Sequence, residues 1–255
     1  MTDRRPAIGI DRKIRLTWLD AAAGIVGRNT TRSEIRGQLD KALGQDVAGE
    51  GSHSARGKTL TVLLHIWLQV PPDLRAFRDH GATLFRQVAP RDRICLHWGM
   101  TLSTYPFFRD ATVSIGRLLQ LQGTVALSQL TRRMTETWGQ RTTLVRAAQR
   151  VVRSLVEWEV LAESKDRGVY EATPQRSVPN AEIAIWMLES LLRGGRTETA
   201  PFRELIQSRA LFPFSMTVRP ALVRNCARLE LVRQGLDEDV VVLRSNPEVV
   251  QSSLF

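Results

Sequence analysis

Residues Leu127 to Thr173 spell a helix, a tight turn, a second helix and a two-stranded hairpin, and this order within so short a stretch restricts the chain to few folds. Leu127 to Trp138 has helical composition, with Leu127, Leu130 and Met134 on one side. Gly139 supplies a residue able to take positive φ in a tight turn, and Thr142 or Thr143 can cap the helix that runs on to about Trp158. In that helix Leu144, Ala148, Val151, Leu155 and Trp158 form one stripe, while Arg146, Arg150 and Arg153 form another. Glu159 to Ser164 and Val169 to Thr173 are β-prone, and Lys165-Asp166-Arg167-Gly168 reads as the turn between them. Thr124 to Ala126 supplies a short first strand. The pattern is that of a winged helix-turn-helix.

The second helix is cationic, with Arg141 just ahead of it and no acidic residue from Trp138 through Val156. Such a helix lies in the DNA major groove in many proteins of this layout. Gln140, Arg141, Thr142, Thr143, Arg146, Gln149 and Arg150 would then meet bases and phosphates. Arg153 and the wing residues Lys165 and Arg167 would reach the flanking backbone. The bland alternative is a solvated arginine face, since a GC-rich genome enriches arginine everywhere.

Charge supports a polyanionic partner: the 255-residue chain carries a formal +10 at pH 7, and lysine occurs only at Lys13, Lys41, Lys58 and Lys165. Arginine offers a planar fork suited to phosphates and guanine edges. Before this unit, residues 1–122 read as an all-α bundle behind a flexible basic tail of about thirteen residues. Its helices span Ile14 to Val26, a segment opened by the Thr31/Glu34 capping box, Lys58 to Val70, Pro72 to Val88, Ile94 to Thr104 and Phe107 to Leu121. The division expected is therefore 1–122, a helical domain; 123–174, a first winged helix; and 175–255, a second winged-helix-like domain.

That last third repeats the design. Asn180 can cap a helix from Ala181 to Leu192; Pro201 to Ser208 reads as the next, and Thr217 can cap one running to about Leu229. Leu229 to Gln234 and Val240 to Arg244 then form a hairpin. An ungapped alignment pairs Val152-Arg153 with Val223-Arg224, Trp158 with Leu229, Glu159 with Glu230, Asp166 with Asp237 and Val169 with Val240. Arg219, Arg224 and Arg228 are the candidate DNA contacts of this unit. Its wing, however, carries Asp237, Glu238 and Asp239, which repel phosphates.

Enzymatic signatures are lacking. There is no HExxH, GxxxxGK[ST] or GxGxxG pattern, and His53, His65, His80, His97, Cys95 and Cys226 show no metal-ligand spacing. No catalytic residue, metal or cofactor is expected. The widely separated cysteines suit a reducing cytosol, and the polar N-terminus lacks a signal peptide's apolar stretch. The most apolar run, Leu60 to Val70, is too short to span a bilayer, so a cytoplasmic chain without membrane contact is expected.

The basic helical N-terminal half, the run Ser54-Ala55-Arg56-Gly57-Lys58 opening a helix that reaches Trp67, and the Phe107-Phe108-Arg109-Asp110 step belong together with a further feature. This is Trp138 followed by Thr142-Thr143 and a long helix into Trp158-Glu159-Val160-Leu161. In these diffuse features the chain resembles the BrxA-like proteins of BREX phage-defence systems. The resemblance implies a small non-enzymatic component that binds double-stranded DNA through winged-helix elements, beside other defence proteins. Two further readings fit the residues: a scaffold whose winged helices contact protein subunits, and a sequence-specific transcriptional repressor.

Overall fold

Local start and stop signals set the N-terminal helices. In a computed structural model of the chain, which describes residues 8–44, 46–49, 51–195, 197–235 and 238–244, α1 (Leu16–Ile25) ends before Gly27 at φ 78°. Thr31 builds the expected capping box, its hydroxyl accepting from the Glu34 N–H while the Glu34 carboxylate accepts from the Thr31 N–H at 2.7 Å. These bonds open α2 (Arg32–Leu43) and hold the Glu34 carboxyl below its usual range. Helix α3 (Ala55–Trp67) begins ahead of Lys58, because Ser54 Oγ accepts from the Gly57 N–H at 3.0 Å. A 3₁₀ turn at Pro72–Leu74 leads into α4 (Arg75–Gln87), followed by α5 (Ile94–Thr104) and α6 (Pro106–Gln122).

The N-terminal segment departs from the expected tail. Residues 1–7 lie outside the described residues, but Ile8, Ile10 and Ile14 are buried. The run is non-helical and turns at Gly9, where φ is 69° and the Ile10 N–H donates to the Ile8 carbonyl at 2.7 Å, and Gly9 packs so closely on Tyr105 that a Cβ there would meet the ring.

Beyond α6 the chain follows the expected order: β1 (Thr124–Ala126), α7 (Leu127–Trp138), α8 (Leu144–Glu157), β2 (Leu161–Glu163) and β3 (Val169–Ala172). The antiparallel sheet has the order β1-β3-β2, with Val125 opposite Tyr170 and Glu163 also opposite Tyr170. Gly168, at φ 77° in the hairpin turn, accepts from the Leu127 N–H at 2.9 Å, which ties the hairpin to the start of α7.

The C-terminal third repeats this topology in shortened form: α9 (Ala181–Gly194), β5 (Thr199–Pro201), α10 (Phe202–Ile206), α11 (Pro220–Arg224), β7 (Leu229–Gln234) and β8 (Glu238–Leu243). Its sheet has the matching order β5-β8-β7. The linker strand β4 (Arg176–Ser177) pairs in parallel with β6 (Phe214–Ser215). Asn180 caps α9 as expected, accepting from the Ile183 N–H at 2.9 Å.

Helices expected at 201–208 and 217–229 are each only five residues long. Val223 and Leu229 are both fully buried, yet six residues apart they would face different sides of a continuous helix. The chain therefore leaves the helix after Arg224, and the Cys226 N–H closes the turn on the Val223 carbonyl. Register also adjusts the repeat. Val169 and Val240 are equivalent, since each faces the last residue of its first strand, Ala126 or Pro201. In each hairpin the first strand pairs alike, Leu161 facing Ala172 as Leu229 faces Leu243, so Leu161 rather than Trp158 is the counterpart of Leu229. The second hairpin is longer by the residues between; Asp237 lies outside the described residues.

Most of the described chain is thus helical, with small sheets, around one hydrophobic cluster that crosses both expected boundaries near 122 and 174. Trp186 of α9 stacks on Phe77 at 4.3 Å and donates its N–H to the Phe77 carbonyl, while Trp98 of α5 donates to the Ala210 carbonyl. Among the described residues, no helix is long and apolar enough to cross a membrane.

Candidate nucleic-acid interface

Helix α8 packs against α7 and α6, which are joined to each other through Trp138, and it is bonded to the backbone of the N-terminal segment. Trp138, at the end of α7, packs edge-on against Phe107 at 5.3 Å and donates its N–H to Asp110 Oδ2 at 3.0 Å. Gly139 follows at φ 74°, turning the chain toward α8. The Ser154 hydroxyl accepts from the Ile14 N–H at 2.9 Å, and the Trp158 N–H donates to the Ile14 carbonyl at 2.9 Å. One residue of the non-helical N-terminal segment is thereby clamped to the inner side of α8.

The outer side follows from 3.6 residues per turn. Positions 146 and 153 lie at the centre of the exposed face, 145 and 149 toward one border, and 150 toward the other. Arg146 and Arg153 are exposed and form no ion pair among the described residues. Arg150 is half-buried, and its Nε is enclosed without a hydrogen-bond partner. Gln149 is half-buried and Val145 exposed. Arg141 sits over the Trp138 ring, 5.9 Å from its centroid, a cation–π arrangement that orients the guanidinium at the turn.

Thr142 and Thr143 depart from expectation. Helix α8 starts at Leu144, Thr143 is already helical in backbone, and neither hydroxyl caps the helix. Both residues, with Gln140, are exposed at its N-terminal end, so the hydroxyls remain available to a ligand. On the hairpin, Lys165 and Arg167 are exposed and unpaired among the described residues.

The acid closing α8 is neutralised. Glu157 bonds Lys13 Nζ at 2.7 Å and lies 3.3 Å from Arg15 Nε. Sequence reading missed this, because Lys13 and Glu157 are 144 positions apart. The exposed Val145 was also missed, although its place on the arginine side of the helix is legible in the spacing from Thr142 to Gln149.

In the second unit Arg219 and Arg224 flank α11 and are exposed. Arg228 is held in an ion pair instead of standing free. Its Nε donates to Glu189 Oε2 at 2.8 Å, and Arg193 Nε donates to the other oxygen at 2.8 Å. Glu189 is 0% exposed, so withdrawing Arg228 to a phosphate would strip a buried carboxylate of one of its two cations. Glu238 and Asp239 begin β8, and Glu238 is exposed.

Other polar chemistry is built into the core. His97 is fully buried on α5, its Nδ1 accepting from the Trp67 N–H at 3.1 Å and its Nε2 2.9 Å from Asp20 Oδ1. An indole N–H can only donate, so Nδ1 carries no proton and the ring is the neutral tautomer. Burial lowers its pKa despite Asp20, and Arg93 adds to the lowering. Burial, with Asp92 adding to it, pushes the Cys95 thiol up to about 12. Among the described residues no His, Cys, Asp and Glu cluster is placed to hold a metal ion. A cleft of about 420 Å³ between α6 and residues 206–216 has Arg209 as its one ionisable lining residue among those described.

Comparisons with protein-family models, curated proteins and solved structures yield no match.

Proposed function

We propose that this chain binds double-stranded DNA, with α7, the turn, α8 and the β2–β3 hairpin acting as a winged helix whose α8 enters the major groove. The observation that carries the reading is the unpaired cationic face. Arg146 and Arg153 lie at the centre of an outer surface that has no acid before Glu157, and Glu157 is covered by Lys13 and Arg15. On the hairpin, which also exposes Glu163, Asp166 and Glu171, Lys165 and Arg167 at the turn offer cations where a wing meets the flanking backbone.

The C-terminal unit acts in this reading as a degenerate second winged helix. Arg219 and Arg224 leave it some capacity for phosphate, but α11 is too short to fill a groove, and Glu238 opposes contact by its wing. A role in contacting protein suits it better. The resemblance to BrxA-like proteins belongs to the same proposal, in which the chain is a non-enzymatic, cytoplasmic component of a phage-defence system. Defence genes beside its own would support that assignment, and an isolated gene would weaken it.

Titration of duplex DNA at several salt concentrations tests the reading. Neutralising about four to six phosphates gives a log–log slope on the order of −4 to −5. The Arg146→Glu/Arg150→Glu variant should bind more weakly with a slope shallower by about two. Unchanged binding in a variant with wild-type thermal unfolding would remove α8 from the interface.

A further inference from the structure

Val145 is 55% exposed in the first turn of α8, and among the described residues only Leu121, outside this helix, is a large apolar side chain more exposed. The helix itself does not require it. A β-branched residue at a solvent position is a poorer helix former than the Arg, Gln or Ala found around it. Its neighbours narrow what can cover it. Thr142 lies one turn before, Gln149 one turn after and Arg146 beside it, on a face bearing no unpaired acid. Charge complementarity therefore selects a polyanion, and the apolar group a polyanionic duplex presents in its major groove is the C5 methyl of thymine. RNA lacks this methyl, and its A-form major groove is too narrow for a helix.

We infer that Val145 packs against thymine methyl groups in the major groove, with the Gln149 amide facing the adenine edge of the same or the adjoining base pair. This gives α8 a preference for thymine-containing steps on top of its phosphate contacts. The inference rests on the DNA-binding reading above and adds direct base contact to it. Gln149 suits the role because its amide offers both a donor and an acceptor, which adenine N7 and N6 demand together. Its half-buried position limits the rotamers it must lose on binding.

The test compares a mixed-sequence duplex containing thymine with the same duplex containing uracil, which removes only the methyl. Wild type and Val145→Ala are titrated at several salt concentrations, the same for both duplexes. Wild type should bind the thymine duplex about four-fold more tightly per methyl contacted, the equivalent of about 0.8 kcal/mol. Val145→Ala should bind the two duplexes equally, with its salt slope unchanged. Equal, salt-dependent binding of both duplexes by wild type would overturn the methyl contact and leave DNA binding intact. A preference retained in Val145→Ala would overturn the assignment to Val145. Absence of binding to either duplex would overturn both readings.

Discussion

His97 shows how a single buried residue couples the bundle to pH. Its ring joins Trp67 on α3 to Asp20 on α1, and Arg93 lies 3.5 Å from the other Asp20 oxygen. Protonation would set a second N–H against the Trp67 N–H in a dry site, which agrees with the lowered pKa. In the unfolded chain the imidazole titrates near 6.5. The unfolded state thus binds the proton first. Stability is fully present above about pH 6.5 and is lost as pH falls from there toward the folded value. The thermal midpoint of wild type should fall between about pH 7 and pH 5, and His97→Gln, which can still accept from Trp67 and donate to Asp20, should flatten that dependence. Equal slopes in the two proteins would move the linkage elsewhere. Arg228 teaches the complementary lesson, since an arginine in an expected interface is committed to the buried Glu189.

At the scale of elements, α8 works as a presenting surface because its inner face is fixed. Leu144, Ala147, Ala148, Val151, Val152 and Leu155 are buried, and Ile14 of the N-terminal segment is bonded to α8 and Trp158 through both its N–H and its carbonyl. Replacing Ser154 by Ala leaves the Ile14 N–H buried without that partner, at a cost of about 1–3 kcal/mol. Denaturant unfolding should register the loss, and limited proteolysis should cut more readily ahead of α1. DNA affinity at low temperature should change little, since every outward side chain of α8 is intact. Wild-type protease resistance in this variant would mean that the clamp does not hold the segment.

Across the whole molecule, the helix order suggests modules, but packing joins them. Helix α9 lies against α5 through Trp186, and a Cβ at Gly99 would collide with the Trp186 ring. Gly116 lets the Arg209 backbone approach α6 in the same manner. The Gly99→Ala substitution should therefore cost about 1–3 kcal/mol through overpacking. Unfolding followed by far-UV circular dichroism and by tryptophan fluorescence should shift together, because one core spans residues from all three segments. Separate transitions for the two probes would reveal independent domains instead.

Short-range signals in the chain suffice to place the local elements. Thr31 with Glu34, Asn180, Gly139 and the 3.6-residue stripes place helix ends and inner faces from interactions a few residues long. The arginine face of α8 was legible for the same reason: periodicity assigns residues to sides of a helix without reference to anything else. Tertiary packing, by contrast, sets which charges on those sides stay unpaired. Glu157 is covered by Lys13 and Arg15, and Arg228 by Glu189, through contacts between distant positions that leave no periodic trace. It also cut α10 and α11 short and moved the counterpart of Leu229 from Trp158 to Leu161. In both cases burial of specific side chains against another part of the chain outweighs local propensity, which amounts to only about 1 kcal/mol per residue.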